Sequence, residues 1–410
     1  MKIISANWVV TCDENSSIIE DGAVVFDEKI IDIDTLLNIE QKYPDIKIQK
    51  LPKNSVLMPG LINSHVHLEF SANTTTLQYG NFYLWLNSVI KHREDLINKA
   101  TNELIFSKLE EMKKTGTTTI GAISSYSFDI EACKKSAINT VFFCEVIGSK
   151  GDMVDTLFAD FKSRLSGAKK CASKNFIPAI AIHSPYSVHP FLIRETLKLA
   201  REENFAVTAH FLESKEEYDW LHKDDGSFLE FFKNFLNQEK AVSRPFEFLN
   251  QFSKIKNLSF THCVEANEED LEKIKNLGAS INHCVTSNRV LNNTRLDLNR
   301  LNGIPFTVGT DGLSSNNSLS LFDELRNILM ANYDKHILDF SKTLLNAATV
   351  NGAKALGLNK GVIEKDFDAD MITFSLPDKI NHIDDLAMHI ILHTKYVENT
   401  IIGGEFVWFF

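Results

Sequence analysis

The chain has 410 residues, 44% of them hydrophobic, with 43 basic against 54 acidic side chains and a formal net charge of −11. That balance argues against a polyanion-binding surface, which needs clustered Lys and Arg to neutralise phosphates, so no nucleic-acid partner is expected. The length accommodates one large barrel, typically about 250 residues, with a smaller appendage, or two ordinary domains.

At the N-terminus, MKIISANWVVTCDENS lacks a sustained apolar run followed by a small-residue cleavage site, so it reads as a strand and a turn. No stretch is apolar for long enough to span a bilayer, and no membrane partner is expected. Residues 1–57 continue with GAVVFDEKIIDI and IKIQKL, short β-rich runs separated by polar turns.

From Val56 the pattern changes to apolar strand-like runs alternating with amphipathic stretches, the signature of βα units. The candidate strands are VLMPGLINSHVH, TTTIGAIS, TVFFCEVIG, IPAIAIHSP, AVTAHFLES, LSFTHCV, ASINHCVTS and PFTVGTDG. Helical segments such as EDLINKATNELIFSKLEEMKK and FLIRETLKLAREE lie between them. Eight strands is the number a closed parallel barrel requires. A Phe-rich insertion over 230–250 interrupts the rhythm between strands five and six and leaves a lid, an oligomer contact or a surface excursion open. From about residue 360 the β-rich character returns in ADMITFSL, TKYVENTIIGG and EFVWFF, the last read as an edge strand. The expected fold is therefore α/β: a (β/α)8 TIM barrel over 58–359, with a small β-sandwich composed from 1–57 and 360–410.

Six cysteines (Cys12, Cys133, Cys144, Cys171, Cys263 and Cys284) form no CxxC pair and mostly sit in apolar runs. They read as reduced, buried hydrophobes, which fits a cytoplasmic location.

Polar residues end the candidate strands where apolar ones are normal for a buried parallel sheet. His65 and His67 close strand one, His183 strand four, His210 and Glu213 strand five, His262 strand six, His283 strand seven and Asp311 strand eight. The C-terminal end of such a barrel hosts the active site. On a strand, residues two apart point the same way, so His65 and His67 can converge on one ion. Imidazoles joined by a carboxylate suit Zn2+ or Fe2+.

PGLINSHVH, HFLES, THCV and VGTDGLSSNNSL together resemble the amidohydrolase superfamily, in the branch of adenosine, S-adenosylhomocysteine and guanine deaminases and triazine hydrolases. The resemblance covers nearly the whole chain. It implies one divalent ion per chain, Zn2+ or Fe2+, on His65, His67, His210 and Asp311. Binuclear relatives carry a carboxylated Lys at the end of strand four, where this chain has AIHSP, so a mononuclear site is implied. By the same resemblance Asp311 is also the general base, Glu213 bonds a ring nitrogen and shuttles a proton, and His262 orients the attacking water. The alternative for Glu213 is a carboxylate at a helix N-terminus. His183, in HSPYS, resembles a substrate-contacting histidine, with a supporting hydrogen-bond role as its alternative. His283, Cys284 and Cys263 are read as core residues, and Ser314, Ser315 and Asn316 as shaping a loop.

The substrate is narrowed by departures from the branch. Nucleoside-type relatives often place an acid before the Trp that follows HxH, whereas GNFYLWLNS has Leu84 before Trp85; Trp85 is kept as a substrate contact. TSNRVL puts Arg289 near the mouth, where it suits a substrate carboxylate or, alternatively, an external salt bridge. The motif set, with GAISS, HSPYSV and GAKALGLNKG, looks most like the aminodeoxyfutalosine deaminases of menaquinone biosynthesis. That resemblance implies hydrolysis of 6-amino-6-deoxyfutalosine to futalosine and ammonia. Competing readings are a deaminase of adenosine, methylthioadenosine or S-adenosylhomocysteine, a guanine deaminase, a triazine hydrolase, or a metal-free scaffold. The family also makes a homodimer an expectation.

Overall fold

The computed structural model describes residues 1–72 and 75–409. The N-terminal segment forms β1 (Lys2–Val10), β2 (Ile18–Phe26), β3 (Ile30–Thr35), β4 (Ile48–Lys50) and β5 (Ser55–Pro59). Alternation along β1 sends Ile4 and Ala6 to one face, with Val24 and Phe26, and Ile3 to the other, with Val25 and Ile39.

Eight strands follow: β6 (Leu61–Val66), β7 (Thr117–Ser124), β8 (Asn139–Val146), β9 (Phe176–Ile182), β10 (Val207–Phe211), β11 (Leu258–His262), β12 (Ser280–His283) and β13 (Phe306–Val308). They pair in parallel in chain order. Between β13 and β6 the barrel is closed by individual bonds. Ser64 Oγ donates to the Val308 carbonyl at 2.9 Å and lies 2.7 Å from Thr307 Oγ1, while the Asp311 N–H donates to the His65 carbonyl at 3.1 Å. This is the expected (β/α)8 architecture.

The C-terminal strands β14 (Met371–Ser375), β15 (Asn399–Ile402) and β16 (Glu405–Phe409) complete the first sheet, in the order β16-β15-β14-β5-β1-β2-β3 with β4 also on β1. Both termini thus build one continuous hydrogen-bonded sheet, joined where β5 pairs antiparallel with β14. β16 is an edge strand, as expected of EFVWFF; its last residue, Phe410, lies outside the described residues.

Two expected elements are divided. VLMPGLINSHVH is not one strand: β5 belongs to the terminal sheet and β6 to the barrel, with Gly60 between them. A Cβ there would fall 2.1 Å from the Thr118 side chain, so only glycine lets the two sheets pass this closely. EDLINKATNELIFSKLEEMKK is two helices, Arg93–Lys99 and Asn102–Lys114. Thr101 starts the second by accepting the Leu104 N–H at 3.3 Å, the capping role that makes Thr a boundary rather than an interior residue.

The Phe-rich insertion is helical, with Ser227–Leu236 and Pro245–Asn250. Phe228 and Phe232 are buried against Tyr186 and Trp220, with Phe232 stacked 4.9 Å from Trp220. Phe231 and Phe235 of the same helix border a cavity at the C-terminal mouth of the barrel. No helix among the described residues is long and apolar enough to cross a membrane.

Candidate metal centre

Beneath the mouth, the barrel lumen is polar rather than packed with branched aliphatics. Asn282 donates from Nδ2 to Thr261 Oγ1 at 2.9 Å and to Ser259 Oγ at 3.2 Å, and its Oδ1 accepts the Thr307 hydroxyl at 2.7 Å. Thr261 Oγ1 in turn lies 3.2 Å from His65 Nδ1. With the proton placed on Nδ1, His65 presents Nε2 as a lone pair; that atom is buried, has no hydrogen-bond partner among the described residues, and lies 3.8 Å from Asp311 Oδ1.

The other donors are aimed in the same way. His210 Nδ1 is 2.8 Å from the His183 carbonyl oxygen, which can only accept, so His210 carries its proton there. Its Nε2 then faces His67 Nε2 at 3.2 Å. Asp311 Oδ2 accepts the hydroxyls of Ser287 at 2.7 Å and Ser315 at 2.8 Å. That leaves Oδ1, 3.5 Å from His67 Nε2. Two unprotonated imidazole nitrogens and a carboxylate oxygen this close repel one another unless a cation lies between them. The orphaned His65 Nε2 and the His67–His210 approach are what a divalent ion with N/O ligands would resolve.

Charge state agrees. Burial first, then neighbouring histidines, hold His65 well below the usual imidazole range and His210 at about 3, so both are neutral and able to ligate. Burial alone would raise Asp311; the facing His67 first, with the Ser287 hydroxyl, overcomes that and keeps it ionised, below the ordinary carboxylate range. Glu213 goes the other way: burial, with Asp311 and Glu217 adding repulsion, pushes it well above the ordinary range.

Glu213 lies two residues before the helix Lys215–Lys223, whose N-cap is Ser214. Its carboxylate points not at helix amides but to His262, with Oε1 3.5 Å from Nε2. Its backbone is pinned on both sides: Glu217 Oε2 accepts its N–H at 2.8 Å, and Asn292 donates to its carbonyl at 3.1 Å. His262 is oriented by Asn288, whose Oδ1 is 2.8 Å from Nδ1. Leu212, His262, Cys263 and Asp311 all have positive φ, between +46° and +72°. Such backbone strain in non-glycine residues concentrates where a chain must turn sharply off a strand to aim a side chain.

A cavity of about 500 Å³ opens over this cluster. His183 lines it, and Ser187 Oγ, 2.6 Å away, holds its Nδ1. Trp85 lines it too, fixed by its indole N–H donating to the Ser314 carbonyl at 2.8 Å. Part of the lining is apolar, from Phe82, Leu86, Val89, Phe231, Phe235 and Leu236. Of the nine residues expected at the site, eight border the cavity or the ligand cluster. Arg289 does not: it is exposed on the helix Val285–Asn292 and absent from the lining. The cations on the wall are Arg93 and Lys150 instead. His283 is buried outside the lining, and neither of its ring nitrogens has a hydrogen-bond partner among the described residues. Ser287, Thr261 and Asn288 escaped sequence reasoning, although each lies within a few residues of a predicted site residue in THCV or TSNRVL.

The amidohydrolase family profile matches residues 56–407. The chain is 44% identical to an aminodeoxyfutalosine deaminase of a Nitratiruptor species, over 99% of both chains. It is 36% identical to an adenosine deaminase of Helicobacter pylori, over 98% of this chain and 99% of that one. The crystal structure of Helicobacter pylori aminofutalosine deaminase in complex with methylthio-coformycin superposes with a TM-score of 0.95 at 34% identity, covering 100% of both chains.

Proposed function

The chain belongs to the amidohydrolase family, and from that premise we propose that it deaminates 6-amino-6-deoxyfutalosine to futalosine and ammonia, a step of menaquinone biosynthesis. It is a metal-dependent hydrolytic deaminase of an adenine-type nucleoside. The observation that carries the finer reading is identity of 44% to an aminodeoxyfutalosine deaminase across 99% of both chains.

One divalent ion, Zn2+ or Fe2+, would be held by His65, His67, His210 and Asp311; N/O donors accept either. When bound, such an ion makes water more acidic and places positive charge beside the attacked carbon. The chain's own groups then divide the proton traffic. Neutral Glu213 protonates the ring nitrogen next to the amino-bearing carbon, which makes that carbon electrophilic. His262 orients the water and Asp311 takes its proton as the C–O bond forms. Asp311 returns that proton to the amino group, and the C–N bond breaks to release ammonia. The hydroxyl proton restores Glu213 as the carbonyl forms, so the cycle closes.

The apolar part of the lining suits a nucleoside extended by an aromatic group. Lys150 borders the same cavity without an ion pair among the described residues and replaces Arg289 as the proposed partner of a substrate carboxylate. Ammonia release is to be compared for 6-amino-6-deoxyfutalosine, adenosine, methylthioadenosine and S-adenosylhomocysteine. The first is expected to have the highest kcat/KM; preference for any other rejects the assignment. Metal analysis of the purified protein should find about one equivalent per chain.

A further inference from the structure

The cavity wall holds three carboxylates, Glu145, Glu213 and Asp311, and the chemistry above employs two. Glu145 is the penultimate residue of β8, 1% exposed, and the one charge in the apolar run VFFCEV. Its Oε2 accepts the Ser125 hydroxyl at 2.5 Å, whereas Oε1 has no partner among the described residues. Buried carboxylate oxygens are rarely left without a donor, and those that are stand where a ligand or water supplies it. A Glu145 oxygen lies within 4.8 Å of ring nitrogens of His183 and His210. Neither imidazole satisfies it. His210 spends Nδ1 on the His183 carbonyl and turns Nε2 to His67, and His183 spends Nδ1 on Ser187, which leaves Nε2 for the cavity's occupant. The same commitments argue against a second ion on Glu145, His183 and His210, because one imidazole lone pair cannot serve two ions.

We propose that Glu145 is the specificity-determining acceptor for the ribose hydroxyls of the nucleoside, an inference that rests on the deaminase reading above. In an adenine nucleoside the N3 edge of the base lies beside the sugar. A nitrogen donor that reads that edge and an acceptor that reads the sugar must therefore be neighbours on the protein. His183 and Glu145 are such a pair. A vicinal diol offers two O–H donors, and the vacant oxygen has the lone pairs to accept one or both. The segment around Trp85 offers no competing acid, because its preceding residue is Leu84, 48% exposed.

The test is steady-state ammonia release by wild type, Glu145→Gln and Glu145→Ala. The substrates are 6-amino-6-deoxyfutalosine and its 2′-deoxy and 3′-deoxy counterparts, and metal content serves as the control for an intact centre. Removing a hydroxyl from the substrate, or the carboxylate from the protein, is expected to lower kcat/KM by about 10- to 100-fold, mainly through KM. Removing both should cost no more than either. Equal losses for Glu145→Ala on hydroxylated and deoxy substrates would mark a structural role and overturn the proposal. So would a wild type indifferent to both deoxy changes, a comparison that needs no variant to fold. A wild type that releases no ammonia from any of the three instead overturns the deaminase reading itself.

Discussion

Asp311 meets the ligand cluster with one oxygen because the other is taken by Ser287 and Ser315. Losing such supporting bonds typically costs about 10- to 100-fold in metal affinity or activity. Ser287→Ala combined with Ser315→Ala is therefore expected to lower kcat by that order while about one metal equivalent remains; an unchanged kcat would show that the hydroxyls do not aim the carboxylate. The clustered histidines and Asp311 were legible because ionisable residues at the ends of apolar strands have few other reasons to be there. Arg289 was misplaced for a geometric reason. β12 stops at His283, and the following residues turn into a helix, where neighbours diverge by about 100°. Asn288 faces His262, so Arg289 faces solvent. Arg289→Ala should leave kcat/KM within about twofold, as for most exposed charges. Lys150→Ala should raise KM for the carboxylate-bearing nucleoside by about tenfold and leave adenosine turnover unaffected; the reverse pattern would restore Arg289 as the recognition residue.

The number and order of the barrel strands could be read from sequence, but some element boundaries could not. Gly60 looks like an ordinary residue within one long apolar run, and only the approach of Thr118 reveals the passage from sheet to barrel. Gly60→Ala is expected to destabilise the fold by about 1–3 kcal/mol through overpacking, measured by denaturant unfolding; a neutral substitution would mean that the junction has slack. The insertion was harder still. Its phenylalanines are core residues on one face of Ser227–Leu236 and cavity lining on the next, and composition does not separate the two uses. The polar lumen was also hidden, because strand propensity, favourable for Thr and unfavourable for Asn, does not mark these residues as a hydrogen-bonded floor.

Across the whole molecule, buried acids tie stability to pH. Asp129, fully buried and bonded by Ser124 Oγ at 2.6 Å, is raised by burial to about 7. A carboxyl raised in the fold contributes stability that is fully present below its unfolded value, near 4, and is lost as pH rises through about 7. Asp129→Asn removes that dependence. Its stability relative to wild type should therefore improve between pH 4 and pH 8, by on the order of 4 kcal/mol, as read from paired thermal melts. A difference that stays flat with pH would mean that Asp129 titrates alike in both states.

The junction of β5 with β14 also sets an order of events on the ribosome. β5, which leads through Gly60 into the strand that carries His65, is synthesised long before its partner at Met371–Ser375. Nascent chains arrested before residue 371 carry every proposed ligand but lack β14, β15 and β16, which complete the sheet adjoining the first two. Such chains are expected to retain no metal when isolated, whereas chains released at full length load it; metal held by the arrested form would show that the barrel matures on its own. On that outcome, synthesis of the polypeptide and acquisition of the proposed ion would be successive steps.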